Sequence, residues 1–256
     1  MRFDMHCHTK AGSIDAVIPI DKYITLLKEQ GFDGMLVTDH DSYRGYQYWK
    51  EHQDEMPSFT VLRGVEYDTR DAGHFIVIMP EGVQLKLLNT RGMSVETLIH
   101  VVHAGGGVLG PAHPFGAKSS SAMLFRKMRK NPDIAKDFDF VEGLNVCEKI
   151  IANRLAQKMA VDYGLQCFGG SDSHKPDYVG MAYTDFPDDV IDNDSLIACI
   201  KEKRILDFGG RERTFKRSHN KRNHFYATWG FRAYNTGLGL LYTPLRQYRL
   251  KQLASK

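Results

Sequence analysis

Segments with the signature of a strand alternate with segments with the signature of a helix along residues 1–210, and this alternation constrains the fold most. The run 34–38 is typical of a buried strand, and the stretch from Pro19 to Gly31 carries the apolar stripe of a helix. Strands that alternate with helices form a parallel sheet, open or closed. The sequence therefore predicts an α/β fold, with strands over 1–8, 34–38, 60–66, 75–79, 108–112, 138–146 and 165–169 and helices beginning near Pro19, Ser42, Ser94, Ala122, Glu148 and Asn193.

One link in this pattern is too short to contain a helix. A polar turn over residues 67–73 separates the strand that ends at Glu66 from the apolar strand 75–79. So short a link favours an antiparallel hairpin. The hairpin would return His74 to the end of the sheet where Glu66 lies.

The first strand ends on two histidines. Apolar and polar side chains alternate over residues 1–8, so His6 and His8 point to the same side of the strand. An isolated pair of this kind is more often satisfied by neighbouring polar groups than by a metal ion. Further histidines and acids along the chain make a metal ion the favoured partner of this pair.

Histidines and acids recur where the predicted strands end. The carboxyl ends of parallel strands meet at one rim, which is where α/β barrels place their active sites. The positions expected at this rim, together with Asp15 in the loop after the first strand, are His6, His8, Asp15, His40, Glu66, His74, His113, Asp172 and His174.

Imidazole and carboxylate ligands without a thiolate suit zinc, manganese or iron. Nine candidate ligands exceed what one catalytic ion uses, because such a site keeps three protein ligands and an open position. The sequence therefore predicts three divalent ions that share a bridging carboxylate. A water between two such ions becomes acidic and can attack phosphorus as hydroxide.

Six short motifs in order resemble the PHP (polymerase and histidinol phosphatase) family of metal-dependent phosphoesterases. They are residues 4–9, 37–41, 64–66, 73–74, 112–115 and 170–174. The resemblance covers residues 1–210 and implies a distorted (β/α)7 TIM-like barrel with a trinuclear site.

The resemblance also implies how the ligands are shared and which residues are catalytic. One ion would be held by His6, His8, Glu66 and Asp172, a second by Glu66, His74 and His113, and a third by Asp15, His40 and His174. Glu66, Asp172 and His174 are the expected catalytic residues. Apart from the resemblance, Asp39 and Glu142 are expected either to orient ligating imidazoles or to make plain structural hydrogen bonds, and Asp41 either to orient an imidazole or to cap the next helix.

Two positions depart from the family pattern. Asp15 lies seven residues after His8, where family members commonly carry an aspartate five residues after the second histidine. Gly116 stands where an arginine often follows the His-Pro-Phe motif, and Lys118 is the nearest replacement. The candidate phosphate contacts are Lys118, Arg154, Lys175 and Arg44, each with the alternative of a solvated surface charge.

The C-terminal residues 211–256 form a predicted basic, aromatic-rich extension. They contain 11 Lys and Arg residues and a single acid, Glu212, whereas residues 1–210 contain 23 basic and 30 acidic residues. Basic residues among aromatics can bind single-stranded nucleic acid. A membrane contact, a partner surface, or aromatics that dock on the acidic barrel remain alternatives.

The function that these features favour is hydrolysis of a small phosphorylated substrate, such as a phosphomonoester, a nucleotide or a cyclic phosphate diester. The alternatives are a nuclease that uses the same metals on single-stranded nucleic acid, and a non-catalytic, metal-stabilised module. Four isolated cysteines, the absence of a leader-like segment and the lack of a run of about 18 apolar residues predict a cytoplasmic protein without a transmembrane segment. The sequence leaves the oligomeric state open.

Overall fold

The computed structural model describes residues 1–117, 119–211, 230 and 242–254. The strands of these residues are β1 (Arg2–Cys7), β2 (Gly34–Val37), β3 (Thr60–Thr69), β4 (Gly73–Ile78), β5 (Val108–Pro111), β6 (Phe140–Asn145), β7 (Gln166–Gly170), β8 (Ala182–Asp185) and β9 (Asp207–Gly210). The helices are α1 (Ile20–Lys28), α2 (Arg44–His52), α3 (Val95–Ala104), α4 (Arg126–Lys130), α5 (Ile150–Tyr163) and α6 (Asn193–Lys201), with a further helical segment, α7, over residues 242–254. The predicted α/β fold is confirmed.

Seven strands form one curled sheet in the order β5-β4-β3-β2-β1-β8-β9, and β6 pairs with β7 in a second sheet. Backbone hydrogen bonds join the two sheets. The N–H of Asp139, just before β6, donates to Leu109 of β5 at 2.9 Å, and the N–H of Asp172, just after β7, donates to His6 of β1 at 2.9 Å. The small sheet therefore lies between β5 and β1. This curvature is consistent with a TIM-like fold.

The sheet is mixed, with more antiparallel pairs than the single predicted hairpin. Strands β1, β2 and β3 are parallel, but β4 runs antiparallel to β3 and to β5, and β8 runs antiparallel to β1 and to β9. The predicted hairpin between β3 and β4 is confirmed, and its pairing continues to Thr69 opposite Gly73. Glu66 is consequently a residue in the middle of a long strand, not its last one.

Helix α3 shows how the local sequence sets the elements that carry the sheet. The side chain of Ser94 accepts a hydrogen bond from the N–H of Thr97, which caps the first turn as predicted. One face of the helix is buried, and glycines at positions 105–107 end it. A Cβ atom at Gly107 would lie 2.7 Å from the backbone carbonyl oxygen of Ile78, so the turn into β5 needs a residue without a side chain.

Much of the predicted basic extension lies outside the described residues, including positions 212–229 and 231–241. The described segment α7 packs on the sheet-and-helix body. Leu250 is only 3% exposed and belongs to the same apolar cluster as Met128 of α4. No helix in the described part of the chain is long and apolar enough to span a membrane.

Candidate metal centre

The fold brings all nine predicted ligands into one cluster. Strand β1 supplies His6 and is followed by His8, while the loop after it supplies Asp15. The other strands contribute residues within them or just after their ends, namely His40 (after β2), Glu66 (β3), His74 (β4), His113 (after β5), and Asp172 and His174 (after β7).

Glu66 lies at the centre of the cluster and is 1% exposed. Its Oε1 is 2.9 Å from His74 Nδ1 and 2.9 Å from His113 Nε2. Its Oε2 is 2.9 Å from His40 Nδ1, 3.3 Å from His8 Nε2 and 3.5 Å from His6 Nε2. Although three ring nitrogens converge on it, Oε2 accepts no hydrogen bond from any described residue.

His6, His8 and Asp172 meet on one side of Glu66. The Nε2 atoms of His6 and His8 are 3.0 Å apart. Asp172 Oδ1 is 3.7 Å from the first and 3.3 Å from the second. Two imidazole nitrogens 3.0 Å apart, with carboxylate oxygens on both sides, form a compact set of potential metal-ligand atoms.

Asp15, His40 and His174 form the more accessible side of the cluster. Asp15 Oδ2 is 3.4 Å from His174 Nε2, and Asp15 Oδ1 is 3.9 Å from His40 Nε2. The two histidine Nε2 atoms are 3.5 Å apart. The side chain of His174 is 23% exposed, against 9% or less for the other five imidazoles. This side therefore faces the solvent.

Polar groups behind the cluster hold the imidazole of His6 and the backbone N–H of His113. His6 Nδ1 donates to Glu142 Oε1 at 2.8 Å, and the other oxygen of Glu142 accepts the N–H of His113 at 2.5 Å. Asn145 donates to both Glu142 and Asp172. These contacts fix the ring of His6 so that its Nε2 faces Glu66.

Asp39 contacts the cluster indirectly, through the hydroxyl group of Ser13. Ser13 Oγ donates to Asp39 Oδ1 at 2.8 Å and lies 3.1 Å from His8 Nδ1. Asp39 also accepts hydrogen bonds from the backbone and side chain of Thr9. Asp41 has neither of its expected roles, because its carboxylate accepts from the N–H of Asp68 and from Arg91.

Backbone conformation at the site departs from the usual preferences. Four non-glycine residues in the described chain have a positive φ, and three of them, Asp41, His113 and Asp172, lie in or beside the cluster. Such conformations are costly for residues with a Cβ and persist where the surroundings impose them. Here the buried contacts of His113 and Asp172 supply that constraint.

Neighbouring charges strongly shift the pKa values of the cluster. Burial alone would lower the pKa of His40 and His113, but the nearby carboxylate of Glu66 raises both to about 9. Burial and the charges of His174 and His40 lower the pKa of His8 to about 4. Burial opposes ionisation of Glu66 and Asp172, yet the surrounding imidazoles hold both pKa values well below their usual range.

The donor set fits divalent cations. Three groups place one ligand atom of each residue within 4.8 Å of the others: His8, His40 and His174; His6, His8 and Asp172; and His40, Glu66 and His74. Glu66 Oε2, Asp15 Oδ1 and His74 Nε2 are buried without a hydrogen-bond partner among the described residues. Buried polar atoms that lack partners are costly unless an ion or water satisfies them.

The predicted substrate contacts lie at different places. Arg44 is exposed at the first residue of α2, just after the loop that carries His40, and Lys175 directly follows His174. Arg154 is exposed on α5 and lines a groove against α7, away from the cluster residues. Lys118 lies outside the described residues. None of these placements tests a role in substrate binding, so the four contacts remain predictions.

Sequence reasoning missed several polar residues that complete the site. Asn145 and Ser13 contact ligand side chains, and Arg91 bridges Asp41 and Asp68 at 3.0 and 3.3 Å. Glu148 lies beside Gly116, where a Cβ atom would come within 2.2 Å of its Oε1. Only Asn145, which lies near the end of the predicted strand 138–146 that also contains Glu142, carried a signal that could have identified it.

Comparison with known proteins gives two family matches that adjoin in sequence. Residues 4–150 match the model described as PHP domain, and residues 151–205 match the model described as PHP-associated. No curated protein matches the chain with significance.

Solved structures share the fold at low sequence identity. PsfC from Pseudomonas syringae aligns with a TM-score of 0.57 and 20% identity, covering 77% of this chain and 87% of PsfC. A candidate metal-dependent phosphoesterase from Bifidobacterium adolescentis aligns at 0.55 and 16%, covering 77% and 96%. The lesion-specific endonuclease EndoQ from Pyrococcus furiosus aligns at 0.63 and 17%, covering 82% of this chain but 59% of the endonuclease.

Proposed function

The chain belongs to the PHP family, and on that premise we propose that it is a metal-dependent phosphoesterase that hydrolyses a small phosphorylated substrate at a trinuclear site. The substrate class includes phosphomonoesters, nucleotides and cyclic phosphate diesters. One observation carries the proposal: Oε2 of the buried Glu66 faces ring nitrogens of His6, His8 and His40 within 3.5 Å and accepts no hydrogen bond from the described residues. A divalent cation is the species that such a donor set fits.

Three ions of zinc, manganese or iron are the proposed cofactors. His6, His8, Glu66 and Asp172 would hold the first, Glu66, His74 and His113 the second, and Asp15, His40 and His174 the third. The proximity of His40 to both Glu66 and His174 supports its placement between two of the ions. The ions would supply an acidified water and would neutralise negative charge on the phosphoryl oxygens.

The protein's own residues position this chemistry. Glu142 and the Ser13–Asp39 pair fix the rings of His6 and His8, so the ligand atoms are preorganised before substrate arrives. Glu66 and Asp172 are the proposed catalytic carboxylates, because both are buried and both contact several imidazoles. His174 is the most exposed imidazole, and its position on the open side suits contact with the substrate.

Charges around the open side would bind the substrate's phosphate. Arg44 and Lys175 follow the loops that carry His40 and His174, which makes them the proposed contacts nearest the cluster in sequence. We further propose that residues 1–210 form the catalytic barrel, of the (β/α)7 type, and that residues 211–256 are an extension. The end of the family match at residue 205 supports that division.

The test is hydrolysis of p-nitrophenyl phosphate and bis-p-nitrophenyl phosphate by the full chain with manganese, zinc or iron(II). His8→Ala should abolish turnover, since it removes a ligand at the centre of the cluster. His100→Ala is the matched control, because His100 is an exposed residue of α3 outside the cluster. If the wild-type protein shows no metal-dependent turnover of either ester, the result would support the alternative of a non-catalytic, metal-stabilised module.

A second candidate is a metal-dependent nuclease or exonuclease on single-stranded nucleic acid. The structural similarity to a lesion-specific endonuclease favours it, although this chain spans only 59% of that protein. Activity on oligonucleotides that falls steeply with salt, while hydrolysis of small esters does not, would distinguish a nuclease from a small-molecule phosphoesterase.

A further inference from the structure

A cluster of arginines lies where α7 packs against α4. Arg126 and Arg129 are exposed on α4, and Arg246 and Arg249 lie on α7, where Leu250 anchors the helix to the core. We call these four residues the arginine surface. They come from segments more than 110 positions apart, so folding, not a local run of charge, brings them together.

Three of the four arginines lack an acidic partner within the described part of the chain. Arg126, Arg129 and Arg249 form no ion pair or side-chain hydrogen bond with any residue that the structure describes. By contrast, Lys127 on the same short helix forms ion pairs with Glu96 at 2.5 Å and with Asp71 at 3.7 Å. Burial and the like charges of Arg249 and Arg126 lower the pKa of Arg129, as expected for guanidinium groups that lie close together.

Arg246 connects this surface to the candidate metal centre. Its guanidinium lies 5.4 Å from the centroid of the Phe125 ring and donates a hydrogen bond to the carbonyl of Ser119 at 3.0 Å. The next two serines of that loop contact the metal centre. The N–H of His74 donates to the carbonyl of Ser120, and Ser121 Oγ lies 3.2 Å from His113 Nδ1. One short loop therefore separates the arginines from two proposed ligands.

Exposed aromatic side chains accompany the charges on α7. Tyr242 is 53% exposed and Tyr248 is 59% exposed, and Leu245 between them is 43% exposed. Spacings of three residues place them on one side of the helix. Guanidinium groups that bind phosphates, next to aromatic rings on which bases can stack, are what a single strand requires. A short helix with three exposed apolar side chains offers little area for burial in a membrane.

We propose that the arginine surface binds the phosphate backbone of a single-stranded nucleic acid and presents that strand to the metal centre. The inference rests on the proposed phosphoesterase function and gives the second candidate function a binding site. Arginine suits this ligand because its planar donors match the geometry of a phosphate group.

The experiment measures the fluorescence anisotropy of a labelled 20-nucleotide oligodeoxythymidylate with the full chain over a series of salt concentrations. The variant R129E/R249E should weaken binding at least tenfold, and its slope of log affinity against log salt should be shallower by about 1.4, or roughly 0.7 for each lost contact. Y248A should weaken binding about tenfold through lost stacking. R129K/R249K, which keeps both charges, should retain most of the affinity.

The control variant K22E/K86E makes the same change in net charge at two exposed lysines elsewhere, and it should leave binding within about twofold of wild type, a difference of under 0.5 kcal/mol. Equal loss in both variants would overturn the inference, because net charge alone would then explain binding. So would variant-sensitive binding to phosphatidylserine vesicles without binding to the oligonucleotide. Binding is read without turnover, so a wild-type protein that hydrolyses the aryl phosphates but does not bind the strand contradicts this inference alone.

Discussion

Nδ1 of His6 donates a hydrogen bond to Oε1 of Glu142 at 2.8 Å, and both side chains are almost completely buried. This contact places the proton of the neutral ring on Nδ1. The other ring nitrogen, Nε2, is then left with its lone pair directed at the space beside Glu66. A carboxylate behind an imidazole is the usual device that orients a metal-ligating histidine.

Glu142→Gln should weaken the binding of divalent metal by about tenfold to a hundredfold, because the neutral amide no longer favours the Nδ1–H tautomer of His6. Competition with a fluorescent chelator measures the affinity. Glu29→Gln removes an exposed carboxylate on the far end of α1 and serves as the control. Equal affinity in Glu142→Gln and wild type would show that Glu142 only satisfies buried hydrogen bonds.

Gly45→Ala should destabilise the protein, although alanine normally favours a helix interior by about 1 kcal/mol over glycine. A Cβ atom at this position in α2 would lie 2.0 Å from Asp39 Oδ2 and 2.2 Å from Thr9 Oγ1. Displacing the buried Asp39 should cost about 1–3 kcal/mol of unfolding free energy, measured by urea denaturation. Gly82→Ala is the control, since nothing lies within 4 Å of its Cβ position.

Metal binding should release protons near neutral pH. In the metal-free protein the pKa values of His40 and His113 are raised to about 9, so both rings are largely protonated at pH 7.5. An imidazole must be neutral to bind a cation, so binding should release about two protons from these two rings. Calorimetric titrations in buffers of different ionisation enthalpy measure the number. Heats that are the same in every buffer would contradict these assignments.

The metal-free protein should lose stability as the pH rises from 6.5 to about 9. For a histidine whose folded pKa lies above its unfolded value of 6.5, the stabilisation is complete below 6.5 and is lost as the pH rises through the folded value. Urea midpoints of the chelated protein over this range measure the trend. The metal-loaded protein should not show it, because its ligands carry no protons to lose.

The clustered residues, Asp15 apart, could be picked out of the sequence because each ends or follows an apolar run, or, like His74, precedes one. The rim of a parallel sheet brings such positions together whatever the loops do. The sequence did not show which atoms face Glu66, because side-chain rotation and the positive φ of Asp172 decide that. Ser13 and Arg91 come from loops without a periodic pattern, so nothing pointed to them.

The fold was predictable where elements are long and apolar. Strands β8 and β9 were missed, because the short segments 182–185 and 207–210 include Asp185 and two glycines and resemble loops. Their antiparallel pairing depends on contacts that span the whole chain, since Arg2 faces Asp185. The docking of α7 through Leu250 is equally non-local. Local patterns contain no information on either arrangement.

The metal content of the purified protein tests the central claim most directly. The full chain, incubated with manganese, zinc or iron(II) and freed of excess ion, would be analysed by inductively coupled plasma mass spectrometry beside Glu66→Gln. We predict about three tightly held divalent ions per wild-type chain and the loss of at least one in the variant. A wild-type protein that retains less than one ion per chain with every metal would contradict the account.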